Sequence, residues 1–194
     1  MDTKELILNI SKEEFISKGF EKTSLRDIAK KCHISPTAIY RHFLNKEEIF
    51  KEIIKSFFDY FKEKTKVIET QDYKFLMDNN PSDMWAYEQN GNFIFDFLFG
   101  KYKDLVKLIV KERKELFKQY IIDYEFNVSN KYFNEMKKYN YKINEFNQIT
   151  FKIILDSYLE AYLNLLYLDD KEIKEVSEEI NNFYTIGFRN LFGF

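Results

Sequence analysis

The sequence predicts an all-α protein of about nine helices. Only 2 Pro and 5 Gly interrupt its 194 residues, and long stretches without these residues favour helices. Apolar side chains recur at intervals of three and four along most of those stretches, which is the spacing of one helix face. A chain of this length can bury a substantial core and can hold one or two domains.

The first three helices are short and closely spaced. The first is expected from about Thr3 to Lys18, with Gly19 as its C-terminal stop. Ser24 is suited to cap the second helix and Ser35 to cap the third. Pro36 fits the first position of the third helix, where a missing N–H has no consequence. Together these signals predict two short helices joined by a tight turn, behind a supporting helix.

The link between the second and third helices, Cys32–Ile34, is too short for antiparallel packing. The third helix must therefore cross the second steeply, as in a helix-turn-helix, whose second helix enters the major groove of DNA. Ala29 allows a close approach of the helices, and Ile34 and Ile39 fill the space between them. The turn residue His33 stands where a positive φ is commonly needed, which His tolerates better than most residues other than Gly.

Basic residues cluster in this same stretch. The formal net charge of the chain is −2, which is not typical of a simple DNA-binding protein. Residues 21–46, however, carry a net +4, so the rest of the chain carries −6. A basic patch on an acidic body suits a protein that approaches DNA by one end. The basic side chains are Lys22, Arg26, Lys30, Lys31, Arg41 and Lys46, with Lys30 and Lys31 expected to act by long-range attraction.

The wider stretch 7–55 resembles the DNA-binding domain of the TetR family of bacterial repressors. The matching residues are Ile7, Phe15, Gly19–Phe20, Thr23–Ala29, Ile34–Ser35, Ile39–Phe43 and Lys46–Phe50. The resemblance implies a helix-turn-helix DNA-binding domain at residues 1–50 and a helical effector-binding and dimerisation domain at residues 51–194. It implies a cytoplasmic, ligand-responsive repressor that binds a palindromic operator as a homodimer. The alternative is a helical DNA-organising or protein-interaction module without an effector.

Base contacts are expected from the outward face of a recognition helix that spans Pro36–Phe43. Arg41 can form two hydrogen bonds to the O6 and N7 atoms of guanine, and the methyl groups of Thr37 and Ala38 can meet thymine methyls. His42 completes this face. For Arg41, a phosphate contact or a solvated surface charge remains the alternative.

Phosphate contacts are expected from Thr23, Ser24, Tyr40 and Lys46. The first two lie at the N-terminus of the second helix, whose amide groups can bind phosphate. Tyr40 and Lys46 resemble the phosphate-binding tyrosine and lysine of the family. Tyr40 could instead be a core aromatic, whereas Phe43 is assigned to the core.

The remaining helices follow from apolar spacing and turn residues. They are expected at Lys46 to about Ile68, Pro81–Gly100, 102–110, 112–138, 145–168 and 171–191. The last helix has a narrow seam of apolar and small residues that resembles half of a family dimer interface. The seam consists of Ile173, Val176, Ile180, Phe183 and Gly187. The alternative is that the last two helices pack within one chain.

An effector pocket is implied by the resemblance, and such pockets are mostly apolar with a few placed polar groups. The candidates are Trp85, Glu88, Phe93, Phe97, Tyr120, Tyr124, Tyr158 and Tyr162. A buried Glu88 among aromatic rings would favour a cationic or aromatic effector. The alternative for each candidate is an ordinary core or surface position.

Other classes of function find little support in the sequence. One Cys excludes a disulfide within the chain and suggests a reducing compartment. The two His, both in the basic stretch, have no metal-ligand spacing to further Cys or His. The sequence has no glycine-rich phosphate loop and no nucleophile elbow. We therefore expect no enzyme, no metal, no cofactor, no secretory signal and no membrane segment.

Overall fold

The computed structural model describes residues 2–78, 98–138 and 141–193. These residues form helices connected by turns and loops, which confirms the all-α prediction. Within the described ranges the helices are α1 (Thr3–Lys18), α2 (Leu25–Lys31), α3 (Pro36–Tyr40), α4 (Lys46–Asp78), α5 (Lys103–Lys138), α6 (Gln148–Leu165) and α7 (Asp170–Phe192). None of them, over the same residues, is long and apolar enough to cross a membrane.

The seven helices of the described residues differ from the nine expected at three places. Helix α4 continues ten residues past the predicted end near Ile68, because no Pro or Gly intervenes before Pro81 and polar residues weaken a helix only slightly. The two helices expected at 102–110 and 112–138 are present as two helical segments of one element, α5, which a kink separates at Arg113, where the φ of −148° and ψ of 48° are not helical. The break lies two residues after the predicted one. Most of the helix expected at Pro81–Gly100 lies outside the described residues.

The predicted stop of α1 and the predicted starts of α2 and α3 are confirmed. Gly19 terminates α1 with a φ of 89°, a value in the region that favours glycine. Ser24 caps α2 in a reciprocal arrangement with Asp27, in which each side chain accepts from the other residue's backbone N–H. Ser35 caps α3, where its hydroxyl accepts from the N–H of Ala38 at 3.2 Å.

The turn between α2 and α3 depends on the left-handed backbone of His33, whose φ is 55°. Its N–H donates to the carbonyl oxygen of Lys30 at 3.2 Å, and the N–H of Ile34 donates to that of Ala29 at 3.0 Å. These two bonds are those of a Schellman motif, in which one residue past the helix end must adopt the left-handed conformation. The prediction of a positive φ at His33 is therefore confirmed.

The described residues pack into two compact units. The first comprises Met1–Thr65 and Asp104–Glu112, and the second comprises Lys66–Lys103 and Arg113–Phe194. Within the first unit, α2 packs against α1 and α3. The rings of Phe15, Phe20 and Phe50 meet there with centroids 4.8 to 5.7 Å apart. A domain boundary near residue 50 stays a prediction.

The second unit packs α6 against α7 around aromatic side chains. Its buried cluster consists of Phe133, Met136, Phe151 and Phe192. Lysines of α5 pair with acidic residues of α6, and bonds from Lys114 and Lys118 lower the pKa of Glu160. The backbone of Asn144 donates to the carbonyl oxygen of Phe192 at 2.9 Å, which joins the loop before α6 to the end of α7.

Substitutions at His33 should show how much its left-handed backbone conformation affects the free energy of unfolding. His33→Gly removes the strain but adds freedom to the unfolded chain, so we expect a change between none and a gain of about 1 kcal/mol in unfolding free energy. His33→Val should lower it by about 1–2 kcal/mol, because a β-branched residue resists positive φ. Denaturant unfolding measures both changes. His42 lacks a positive φ, so a gain from His42→Gly equal to that of His33→Gly would contradict this explanation.

Candidate nucleic-acid interface

Helix α3 ends at Tyr40, whereas the recognition helix was predicted to span Pro36–Phe43. Backbone hydrogen bonds nevertheless continue past Tyr40. The N–H groups of His42 and Phe43 donate to the carbonyl oxygen of Ile39 at 2.9 and 3.0 Å. Ile39 and Phe43 are buried, as expected for the inward face. Their burial fixes which side of α3 points away from the protein.

The outward side of α3 carries the residues predicted to contact bases. Thr37, Arg41 and His42 are exposed, and Ala38 is partly exposed. All four are thus accessible on one short segment. Such a segment presents a guanidinium, an imidazole and two methyl groups, which can contact base edges in a major groove.

Tyr40 is 55% exposed. This exposure is inconsistent with a core aromatic, the alternative that the sequence left open. The ring lies beside the residues predicted to contact bases, where a phenol can donate to a phosphate oxygen. Its contact with phosphate stays a prediction.

Thr23 and Ser24, both predicted to bind phosphate, have different environments. Thr23 is 2% exposed, and its hydroxyl donates to the carbonyl oxygens of Gly19 at 2.9 Å and Glu14 at 3.3 Å. The structure thus gives the Thr23 side chain an interior packing role. Ser24 is exposed, but its hydroxyl bonds the Asp27 carboxylate at 2.6 Å, and this contact lowers the pKa of Asp27.

Lys46 is partly buried at the start of α4. Its ammonium donates to the carbonyl oxygen of Phe20 at 2.6 Å and to that of Glu21 at 3.3 Å. It also lies 4.3 Å from the centroid of the Phe20 ring. The side chain predicted to reach phosphate is therefore bound to the loop between α1 and α2.

The sequence did not identify the ion cluster around Glu14. The Glu14 side chain is 1% exposed, and its carboxylate accepts from Lys18 at 2.6 Å and from Lys31. Hydrogen bonds from Lys18 and Lys31 lower the pKa of Glu14 against the opposing effect of burial. Glu14 also raises the pKa of Lys18. The available signal was an acidic residue on the inner face of α1 with a lysine four residues later.

The basic side chains of residues 21–46 consequently divide into two groups. Lys31 and Lys46 bind acceptors of the first unit, on Glu14, Phe20 and Glu21. The other group is Lys22, Arg26, Lys30 and Arg41, which are exposed to solvent. Because Lys31 is also 54% exposed, the first group is defined by its bonds and not by burial.

The predicted dimer seam on α7 is partly inside and partly outside the chain's own core. Ile173 is buried, and Val176 and Ile180 are partly exposed. Phe183 is 73% exposed, and a Cβ added to Gly187 would meet no atom within 4 Å. The sequence missed Ile186, which is 63% exposed beside them.

Half of the predicted pocket residues, Trp85, Glu88, Phe93 and Phe97, lie outside the described residues. The other four are Tyr120, Tyr124, Tyr158 and Tyr162, on α5 and α6. The rings of Tyr158 and Tyr162 are edge to face at 4.9 Å. Burial raises the pKa of both phenols. These two side chains therefore form an aromatic wall in the second unit.

No group of three His, Cys, Asp or Glu side chains suitable for a metal ion occurs in the parts of the chain that the structure describes.

Comparisons with known proteins concern the N-terminal region most directly. The family model of bacterial regulatory proteins, tetR family, matches residues 7–53. IcaR of Staphylococcus epidermidis, a negative transcriptional regulator of the biofilm operon icaADBC, is 30% identical over 108 residues, 56% of this chain and 52% of IcaR. UidR of Escherichia coli, a helix-turn-helix transcriptional regulator, is 42% identical over 52 residues, 27% of this chain and 26% of UidR. The chain thus spans about half of IcaR and a quarter of UidR.

Two solved structures resemble the chain over nearly its whole length. A protein from Mesorhizobium loti assigned to the TetR family has a TM-score of 0.63 at 17% identity, covering 98% of this chain and 96% of its own. A transcriptional regulator from Aquifex aeolicus has a TM-score of 0.53 at 22% identity, covering 95% and 99%. At these identities the likeness concerns the fold.

Proposed function

Because the chain belongs to the TetR family of bacterial transcriptional regulators, we propose that it represses transcription as a homodimer. It binds a roughly palindromic operator in double-stranded DNA and leaves it when a small-molecule effector binds. The observation that carries the proposal is the exposed face of α3, with Thr37, Arg41 and His42 next to the partly exposed Ala38. Repression is favoured by the similarity to IcaR, a negative regulator.

Sequence reading is assigned to Arg41 and its neighbours on α3. An arginine on an exposed recognition helix can bind guanine through two parallel hydrogen bonds, and methyl groups can distinguish thymine. Tyr40 and Ser24 supply backbone contacts, which fix the position of the helix without reading sequence. A dimer would place two such helices about 34–36 Å apart, or somewhat more, which matches two half-sites on one face of DNA.

Removal of the Arg41 side chain should weaken specific binding. Arg41→Ala is expected to raise the Kd for the DNA flanking the protein's own gene by about 10- to 100-fold, because a bidentate base contact contributes about 1–3 kcal/mol. Fluorescence anisotropy with labelled flanking DNA measures the change. Lys171→Ala, which removes an exposed charge on α7, is the control and should leave Kd unchanged.

Two results would contradict this assignment. One is an equal Kd for the wild type and Arg41→Ala. The other is salt-dependent binding of the wild type to unrelated DNA as tightly as to the flanking DNA, which would favour a DNA-organising protein.

Homodimerisation is supported by exposed apolar side chains on both packed helices of the second unit. Phe183 and Ile186 lie on α7, and Ile149 and Ile153, which are 70% and 63% exposed, lie on α6. Large exposed apolar side chains concentrated on neighbouring helices indicate an interaction surface. A second copy of the chain is the partner that symmetric DNA recognition requires.

A charge on this surface should separate the dimer. Phe183→Glu is expected to give a monomer at concentrations where the wild type is dimeric, because a carboxylate would be buried in an apolar interface. Light scattering coupled to size exclusion measures the mass. Asn182→Glu introduces the same charge at the adjacent exposed position and should remain dimeric. A monomeric wild type, or a dimeric Phe183→Glu, would refute this interface.

The effector is proposed to be apolar or aromatic. The support within the described residues is the aromatic wall of Tyr158 and Tyr162, since aromatic side chains dominate small-molecule sites. A cation would also be accommodated by aromatic faces.

A thermal-shift screen of apolar, aromatic and cationic compounds tests the effector. A compound present at 100 times its Kd should add about 2.7 kcal/mol, or roughly 5–10 °C in Tm for a chain of this size. The same compound should release the protein from its flanking DNA in the anisotropy assay. Compounds that raise Tm and leave DNA binding unchanged would show binding without regulation.

A further inference from the structure

Two lysines of the basic stretch, Lys31 and Lys46, are bound to acceptors inside the first compact unit. Both would ordinarily be counted among the charges that attract DNA. The structure places their ammonium groups on the framework that holds α1, α2 and the start of α4 together. Lys22 and Lys30 of the same stretch are exposed, and so is Lys31, so what distinguishes Lys31 is its bond to Glu14.

The Lys46 ammonium has three partners from one loop. It donates to the carbonyl oxygens of Phe20 and Glu21 at 2.6 and 3.3 Å, and the Phe20 ring lies 4.3 Å away. An ammonium has three N–H donors, so these partners take up its hydrogen-bonding directions. Both carbonyl groups belong to the loop between α1 and α2, and that of Phe20 also accepts from the N–H of Thr23 at 3.3 Å. Lys46 thereby ties the start of α4 to that loop.

The Lys31 ammonium binds a buried acid. Its partner Glu14 is 1% exposed, whereas Lys31 itself is 54% exposed. Removal of a cation from a buried carboxylate is unfavourable, because the remaining charge loses compensation. Lys18 is the second cation on the same carboxylate. Lys31 thus connects the last turn of α2 to α1 across 17 residues.

We propose that Lys31 and Lys46 are positioning residues that hold the helix-turn-helix on its framework, and that Lys22, Arg26, Lys30 and Arg41 carry the charge that DNA encounters. A phosphate could recruit Lys46 only by displacing its carbonyl partners, and Lys31 only by drawing it from Glu14. The second half of the proposal rests on the DNA-binding function proposed above, and the first half does not.

Two double variants that remove the same charge test the proposal. Lys31→Met with Lys46→Met removes both positioning lysines and retains their apolar stems. Lys22→Met with Lys30→Met removes two exposed lysines from the same stretch. Thermal unfolding of each full-length protein gives Tm. Anisotropy with the flanking DNA between 50 and 200 mM NaCl (about the range over which such affinities change most usefully) gives the slope of log K against log salt.

The two pairs should behave in opposite ways. The Lys31/Lys46 pair should lower Tm by about 4–8 °C and keep a slope close to that of the wild type. The Lys22/Lys30 pair should keep Tm and make the slope shallower, by up to about 0.9 for each lost phosphate contact. The single substitution Lys46→Arg retains donors for the two carbonyl groups, so the Tm of this variant should match that of the wild type.

The opposite pattern would overturn the proposal. In that case the Lys31/Lys46 double variant would keep the wild-type Tm, and its salt slope would be shallower by nearly two. Equal slope changes for the two pairs would overturn it as well. If the Lys31/Lys46 pair does not fold, Lys46→Met and Lys31→Met are compared singly with Lys22→Met and Lys30→Met. If the wild type binds no DNA, the proposed function fails, but the comparison of Tm values still tests the positioning role.

Discussion

The arrangement of the first compact unit depends on how one buried carboxylate is compensated. Glu14 is 1% exposed, and an unpaired carboxylate there would be strongly disfavoured. Lys18 of α1 and Lys31 of α2 supply two cations to this carboxylate, and the backbone carbonyl of Glu14 accepts from the Thr23 hydroxyl. Two helices and the loop between them therefore meet at one residue. Since α3 packs on α2, the position of α3 follows from this ionic contact as well as from apolar packing.

The features that the sequence predicted correctly are those decided within a few residues. Ser24 and Ser35 cap helices through amide groups three positions away, and Gly19 ends α1 by its own φ. The left-handed turn at His33 is closed by the carbonyl groups of Lys30 and Ala29, which lie three and four residues before it. Such local hydrogen bonding leaves a readable pattern in the sequence. The helix-turn-helix was predictable for this reason, and so was the outward face of α3.

The features that the sequence missed involve distant partners or the absence of a strong helix breaker. Thr23 and Lys46 were predicted to bind phosphate and Lys31 to attract DNA at long range, but the sequence did not predict the hydrogen bonds that these side chains make within the chain. The structure gives Lys31 and Lys46 acceptors 17 and 26 residues away along the chain, and no local pattern encodes such pairs. Helix α4 exceeded its predicted length because turn-favouring polar residues, without Pro or Gly, do not end a helix that is otherwise supported.

The seam on α7 shows how a regular pattern can face two environments. Its members recur every 3.5 residues on average, whereas a straight α-helix has 3.6 residues per turn, so the seam drifts by about 20° per heptad. Phe183 follows Ile173 by ten residues, so with 3.6 residues per turn it lies about 80° around the helix axis from Ile173. Ile173 is accordingly buried, while Phe183 is 73% exposed and Ile186 lies exposed beside it. In the proposed dimer, a second copy would therefore meet the later turns of α7, with Ile173 remaining in the core of its own chain.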